Sequence, residues 1–223
     1  MILNIAMDGP VGAGKSSIAS AVAGRLGILH LDTGAMYRAV GLTAIRRGVN
    51  LADEAAVTAL CRAIQVSVAH GPGGQRTIVD SEDVTDCIRT PEVSMAASTV
   101  GRYAGVREEM VAIQQRLAKE TPMLLDGRDI CTVVLPDAPV KIYLTASAEE
   151  RARRRHLEMV HKGDDTPYEQ VLADLRARDD QDMNRKVNPL RPAEDAVIVD
   201  STSLTFDQVV DAIIKIVEDK TRE

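Results

Sequence analysis

An α/β fold, with a parallel five-stranded sheet flanked by helices, is predicted by three features of this chain. Short apolar runs recur at residues 2–7, 28–32, 122–126, 139–144 and 196–200, and helical patterns follow at about 15–26, 34–47, 147–162 and 205–220. Two of the runs, VKIYL and AVIVD, are nearly continuous in apolar and β-branched residues, as strands covered on both faces must be. The turn after the first run is glycine-rich and ends in Gly-Lys-Ser, a spacing that joins a strand to a helix around bound phosphate. Strand–helix alternation of this kind implies right-handed crossovers.

The first run, ILNIAMD, leads into Gly9, Pro10, Val11, Gly12, Ala13, Gly14, Lys15, Ser16 and Ser17. This is the pattern G-x-x-x-x-G-K-[ST]. Its glycines let consecutive backbone N–H groups turn inward at phosphate oxygens with no Cβ in the way. Lys15 can reach the β- and γ-phosphates as a point charge, and the Ser16 hydroxyl can ligate Mg2+. The Ala-rich residues beyond Ser17 are helix-compatible, so a helix N-terminus adds its dipole to the same anion site. The loop does not name the acceptor, because many unrelated nucleotide-using proteins share it.

Between about 51 and 120 the rhythm changes. AIQVSVA and QRTIVDS flank Gly71–Gly74, which reads as a hairpin, and Pro91–Lys119 reads as helical with a break near Gly101–Gly105. The expected organisation is one domain over 1–223. Its core is about 1–50 and 121–223, its insertion about 51–120, and its lid about 151–170.

Three charged groups stand beside the loop. DGRD, Asp126–Asp129, follows the apolar run TPMLL directly. In open α/β sheets ligands sit beyond the carboxyl ends of strands, so this turn places two carboxylates and Arg128 near the phosphates. A polar turn capping the strand would look the same. Asp126, acting through water, is the second candidate metal residue beside Ser16. In RARRRH, Arg151, Arg154 and Arg155 share a helix face at i, i+3 and i+4. Such a run reads either as a solvated face paired with Glu149 and Glu150 or as a phosphate clamp. In RDDQDMNR, Arg178, Asp182 and Arg185 fall on one helical stripe at i, i+4 and i+7. The plain alternative is an ion-paired surface helix, worth only ~0.3–0.5 kcal/mol per pair. The excess of arginine instead suits phosphoryl transfer, which is mostly electrostatic.

Composition narrows the function classes. The 223 residues suit one domain with a real core, and 45% hydrophobic with 27% charged residues is ordinary for a soluble protein. One Phe, four Tyr and no Trp argue against stacking on single-stranded nucleic acid, and a net charge of −6 disfavours any phosphate-backbone partner. No apolar run approaches the ~20 residues of a bilayer span, and no signal-peptide pattern precedes the first strand. Cys61, Cys87 and Cys131 lie far apart without metal spacing, which fits reduced thiols in a cytoplasmic protein.

Taken together, GPVGAGKSS, LDTGAMYR at Leu31–Arg38, DGRD-x-x-TVV at Asp126–Val134, RDDQDMNR and VDST at Val199–Thr202 resemble the bacterial cytidylate kinases. The resemblance runs in order along essentially the whole chain. It implies the nucleoside-monophosphate kinase fold, with strand order 2-3-1-4-5, a mobile lid and a monophosphate-binding insertion. It further implies that Gly9–Ser17 hold the ATP phosphates, with Arg154 and Arg155 from the lid. Thr33 and Arg38 would contact the CMP phosphate, Arg38 in a bidentate manner. Ser98, Arg107 and Asp129 would read cytosine. Arg178 and Asp182 would hold the pentose, with Arg185 near the phosphates, and Arg128 would neutralise phosphate charge. Lys15, Arg128, Arg178 and Arg185 are then the expected catalytic group. Two positions depart from the family: Cys131 replaces its usual Gly, and Thr33 stands where Ser is frequent.

The expected reaction moves the γ-phosphoryl group of Mg·ATP to CMP or dCMP in a cytoplasmic monomer with no nucleic-acid or membrane partner. A nucleotide-dependent switch is the alternative from another class, but the guanine-reading N-K-x-D stretch of a GTP switch is missing. Among kinases, UMP or shikimate is the runner-up acceptor. The long insertion and the Arg178/Asp182 pairing favour a nucleotide.

Overall fold

The computed structural model describes residues 2–71 and 73–222. The chain begins with β1 (Asn4–Asp8), α1 (Lys15–Leu26), β2 (Leu29–Asp32), α2 (Thr33–Arg46) and α3 (Glu54–Ala63). Next come β3 (Val66–Gly71), β4 (Gly74–Val79), β5 (Glu82–Asp83), α4 (Pro91–Val100) and α5 (Ala104–Glu120). It ends with β6 (Met123–Gly127), β7 (Val140–Thr145), α6 (Ala148–His161), α7 (Tyr168–Asn184), β8 (Val197–Asp200) and α8 (Phe206–Arg222). One sheet has the order β2-β6-β1-β7-β8, which is 2-3-1-4-5 counted over its own strands, as expected. A second, three-stranded sheet runs β3-β4-β5.

The chain forms two compact units, one from residues 3–28 and 123 onward, the other from residues 29–122. In the first unit β1 runs parallel to β6 and β7, with Asp8 opposite Gly127 and Tyr143. Their carboxyl ends are therefore level, and the turns that leave them emerge side by side. Ile5, Met7, Leu124, Ile142 and Leu144 are fully buried, as strands covered on both faces require. Ile18 and Val22 of α1 and Val209, Val210, Ile213 and Val217 of α8 join them in one core. The α8 residues recur at three to four positions, so one face of an otherwise polar helix is buried. Each such side chain contributes about 1.5–3 kcal/mol by leaving water.

In the second unit Asp32 caps α2 by accepting a 3.1 Å hydrogen bond from the Ala35 N–H. A Cβ on Gly41 of α2 would sit 3.0 Å from that of Ala96, so this glycine lets α4 pack close. The predicted hairpin is present, with Gly71 opposite Gly74. The sequence reading did not anticipate β5, which is two acidic residues long and follows Asp80 and Ser81, both at positive φ. No glycine marks that turn, and two residues carry no alternation to read. The expected helical break falls between α4 and α5.

One expectation is corrected. Arg185 does not share a helical stripe with Arg178 and Asp182, because α7 ends at Asn184 and Arg185 is extended at φ −63°, ψ 144°. The chain turns back there, and the Leu190 N–H donates to the Asp182 carbonyl.

Candidate phosphate and nucleotide site

The glycine loop leaves β1 where the backbone has no room for a side chain. A Cβ on Gly9 would lie 2.0 Å from the Leu144 carbonyl oxygen of β7, and Gly9 has φ 155°. Gly14, at φ 83°, begins α1 in the left-handed region, with no side-chain cap and no acidic residue in the first turn. That helix end therefore offers N–H groups and positive dipole to an anion. Lys15 is buried, and its Nζ donates 2.7 Å hydrogen bonds to the carbonyls of Gly9 and Pro10. Burial, assisted by the Arg128 charge, pushes its pKa well below the usual lysine range, against the pull of Asp126, Asp8 and Asp182. An arriving phosphate, being anionic, would favour the charged form of this amine.

Ser16 donates a 2.9 Å hydrogen bond to Asp126 at the end of β6. The hydroxyl and carboxylate form a small hard-oxygen donor set. Among the described residues no group of three or more His, Cys, Asp or Glu could hold a metal. The pair thus fits a cation that keeps most of its water and takes phosphate oxygens, as Mg2+ does.

The Val11 peptide is held from both sides. Asp179 accepts from its N–H at 3.3 Å, Arg151 donates to its carbonyl at 2.8 Å, and the two side chains pair at 2.6 Å. The three arginines grouped in the sequence therefore divide. Arg151 is buried in this clamp, and Arg154 binds Glu150 at 2.8 Å and the Ser201 carbonyl at 2.6 Å. Arg155 is exposed beside Glu158.

Beyond β6 the DGRD turn enters a π-helical turn, Ile130–Val134, in which the Leu135 N–H reaches the Ile130 carbonyl at 2.8 Å. Such turns are frequent at functional sites. Asp8 holds its start, accepting 2.8 Å hydrogen bonds from the N–H groups of both Ile130 and Cys131. Burial raises the Asp8 pKa to about 6, the two N–H donors opposing and the Asp129 charge assisting. Arg128 donates from Nε to Asp182 at 2.7 Å. Burial acts against the charge on Asp182, but Arg128, then Arg185 and Arg178, outweigh it and lower the pKa. Asp129 is buried, with an Arg185 nitrogen at 3.7 Å. The structure thus brings Arg128, Asp129, Asp182 and Arg185 together, and Arg178 adds its charge to Asp182.

In the other unit, Thr33 is buried at the start of α2. Arg38 pairs with Asp32 at 2.6 Å, while its buried Nε has no hydrogen-bond partner. Arg107 is buried on α5, lies 5.3 Å over the Tyr37 ring, and donates to the Gly101 carbonyl at 3.0 Å. Ser98 lies on α4. Arg38 and Arg107 are thus oriented by contacts inside their own unit.

The sequence reading missed Asp8 and Asp179. Asp8 was legible as the acid ending the first strand, but only the register beside Gly127 shows what it holds. Asp179 sits between residues already singled out, with nothing local to mark it as buried. Cys131 proves compatible with its place. It is not among the positive-φ residues, and its Sγ lies 3.5 Å from the Ala6 carbonyl and 3.6 Å from that of Ile142.

Comparison with known proteins agrees with this geometry. The family model described as cytidylate kinase matches residues 5–219. A cytidylate kinase of Desulforamulus reducens is 51% identical over 96% of this chain and 96% of its own length. Another, of Bacillus velezensis, is 48% identical over 99% of this chain and 98% of its own. An uncharacterised protein of Eubacterium ventriosum shares the fold, with TM-score 0.55 over 97% of this chain and 98% of its own, at 11% identity. With a family model and close relatives matched over nearly its full length, the chain belongs to the cytidylate kinase family.

Proposed function

We propose that the protein transfers the γ-phosphoryl group of Mg·ATP to CMP or dCMP, giving ADP and CDP or dCDP, a step of pyrimidine nucleotide metabolism. The observation that carries this reading is the alignment of β1 and β6. It sets the Lys15 loop, the Ser16–Asp126 pair and the Arg128–Asp182 pair at the carboxyl ends of neighbouring strands.

The acceptor is already a phosphate oxyanion, so no side chain needs to remove a proton. Positioning and charge neutralisation then supply the catalysis. The loop amides and Lys15 hold the ATP phosphates. Arg128, Arg178 and Arg185 spread positive charge over the transferring group, and Asp182 accepts from a pentose hydroxyl. Ser16, with Asp126 through water, would hold Mg2+, which neutralises and orients the phosphate oxygens. Thr33 and Arg38 bind the monophosphate, while Ser98, Arg107 and Asp129 read the base. In this reading residues 51–120 are the monophosphate-binding insertion and 151–170 the lid, with Arg154 and Arg155 turned to ATP. The protein works as a cytoplasmic monomer, and the three free cysteines suit a reducing compartment.

The test is ADP formation with a panel of monophosphates, run with the native protein and Lys15→Ala. CMP and dCMP should be the fastest acceptors. Lys15→Ala should lose several orders of magnitude in kcat while staying folded, since it removes a buried amine whose charge burial disfavours. Near-native turnover in folded Lys15→Ala, or a faster acceptor outside the cytidine nucleotides, overturns the reading.

A further inference from the structure

We infer that Gln75, in the insertion hairpin, is a positioning residue for the monophosphate subsite, acting through the main chain of Asp32. The Gln75 side-chain oxygen accepts from the Asp32 N–H at 2.7 Å, and its amide nitrogen donates to the Asp32 carbonyl at 3.2 Å. One side chain thus supplies the donor and the acceptor that a neighbouring strand's peptide would supply.

The location explains the need. β2 is the end strand of its sheet. The Leu29 N–H is spent on the Pro122 carbonyl, so the alternate residues His30 and Asp32 turn their peptide groups to the opposite edge. Among the described residues no strand pairs there, and a sheet edge needs other partners for its polar groups. The hairpin covers it with side chains. His70 lies opposite Gln75 across β3 and β4, and its Nε2 is 2.8 Å from the His30 carbonyl. The two facing residues of the hairpin therefore grip β2 at positions two apart.

Asp32 passes that grip on to the subsite. One of its carboxylate oxygens caps α2 at the Ala35 N–H, and the other holds Arg38 at 2.6 Å. Thr33 follows directly, and the buried Arg38 Nε with no partner marks a guanidinium still able to donate. A displaced Asp32 peptide would move Thr33, the cap and Arg38 together. Neither the hairpin nor its Gln75 needs to touch substrate for this to affect substrate binding.

The inference rests on Arg38 being a monophosphate contact, and the experiment separates the two ideas. Steady-state kinetics would be measured on the full chain for Gln75→Met, Arg38→Ala and the double variant, varying CMP and ATP in turn. Gln75→Met keeps the length of the side chain and removes both hydrogen bonds to Asp32, together with a longer 3.5 Å one to Thr77. Its KM for CMP should rise about five- to twentyfold, in line with two lost hydrogen bonds, with KM for ATP and kcat within about twofold. The double variant should be little worse for CMP than Arg38→Ala alone, because Gln75 acts through the turn that carries Arg38. If Gln75→Met does not fold, Gln75→Asn, which keeps the amide but is one methylene too short, should give the same CMP-selective rise. A normal KM for CMP in the Gln75 variant beside a raised one in Arg38→Ala overturns the inference and leaves the subsite reading standing. So does an equal rise for both substrates, or full additivity in the double variant. A normal KM for CMP in Arg38→Ala overturns the subsite reading and the inference with it.

Discussion

Arg128 spends its Nε on Asp182, 2.7 Å away, although the two residues lie 54 positions apart and belong to different motifs. The sequence pairs Asp182 with Arg178 by helical spacing, whereas the fold makes Arg128 its hydrogen-bonded partner. A carboxylate held this way keeps its charge inside the protein and presents a fixed acceptor. Asp182→Ala should raise the KM for CMP by about tenfold or more, as expected for one lost charge-assisted hydrogen bond of ~1.5–3 kcal/mol. The KM for ATP should stay near native. Adding Arg128→Ala should show strong non-additivity, because each single change already breaks the pair. Equal weakening of both substrates in Asp182→Ala would reduce the pair to a structural one.

Asp129 is buried, with an Arg185 nitrogen 3.7 Å away. An ionised carboxylate only accepts hydrogen bonds, so it suits the cytosine amino group and repels the uracil carbonyl. The pyrimidines otherwise have nearly one shape, and a polar mismatch in an enclosed site can separate substrates by up to ~10⁴ in kcat/KM. Asp129→Ala should therefore lower CMP phosphorylation and narrow the CMP:UMP ratio. A folded variant with an unchanged ratio would remove Asp129 from base reading.

Asp8 makes stability depend on pH in the direction opposite to an ordinary paired carboxylate. Its pKa is about 6 in the fold against 3.8 in the open chain. Between those values the folded state holds the extra proton, so stability falls as pH rises through the window and levels off above it. The contribution is on the order of 3 kcal/mol, from a shift of about two units. Urea unfolding at pH 4.5 and 7 should show Asp8→Asn losing more, relative to the native protein, at the lower pH. An identical difference at both values would show that Asp8 does not titrate in this window.

Cys131→Gly, which restores the residue usual in the family, should leave both KM values unchanged. The position has no positive φ to relieve, and the thiol lies against the Ala6 and Ile142 carbonyls inside the sheet layer. Stability should drop by about 1 kcal/mol or more, from lost packing and the greater freedom of glycine in the unfolded chain. Faster turnover in Cys131→Gly would mean that the thiol obstructs the site.

The sequence by itself determined the five apolar strands, the phosphate loop and the identity of the charged residues. Each is written in local signals: apolar runs of strand length, a fixed glycine spacing, arginines beside carboxylates. Only the tertiary structure decided the partners. Arg151, Arg154 and Arg155 look alike on a helical projection, yet one is buried against Asp179, one reaches Ser201, and one faces solvent. Asp8 reads as the last residue of a strand until the register beside Gly127 places the π-helical turn against it. Gln75 reads as an ordinary hairpin residue until the free edge of β2 is seen to need a donor and an acceptor. Burial and hydrogen-bond partnership depend on residues far away in the chain, so no local pattern of residue types can encode them.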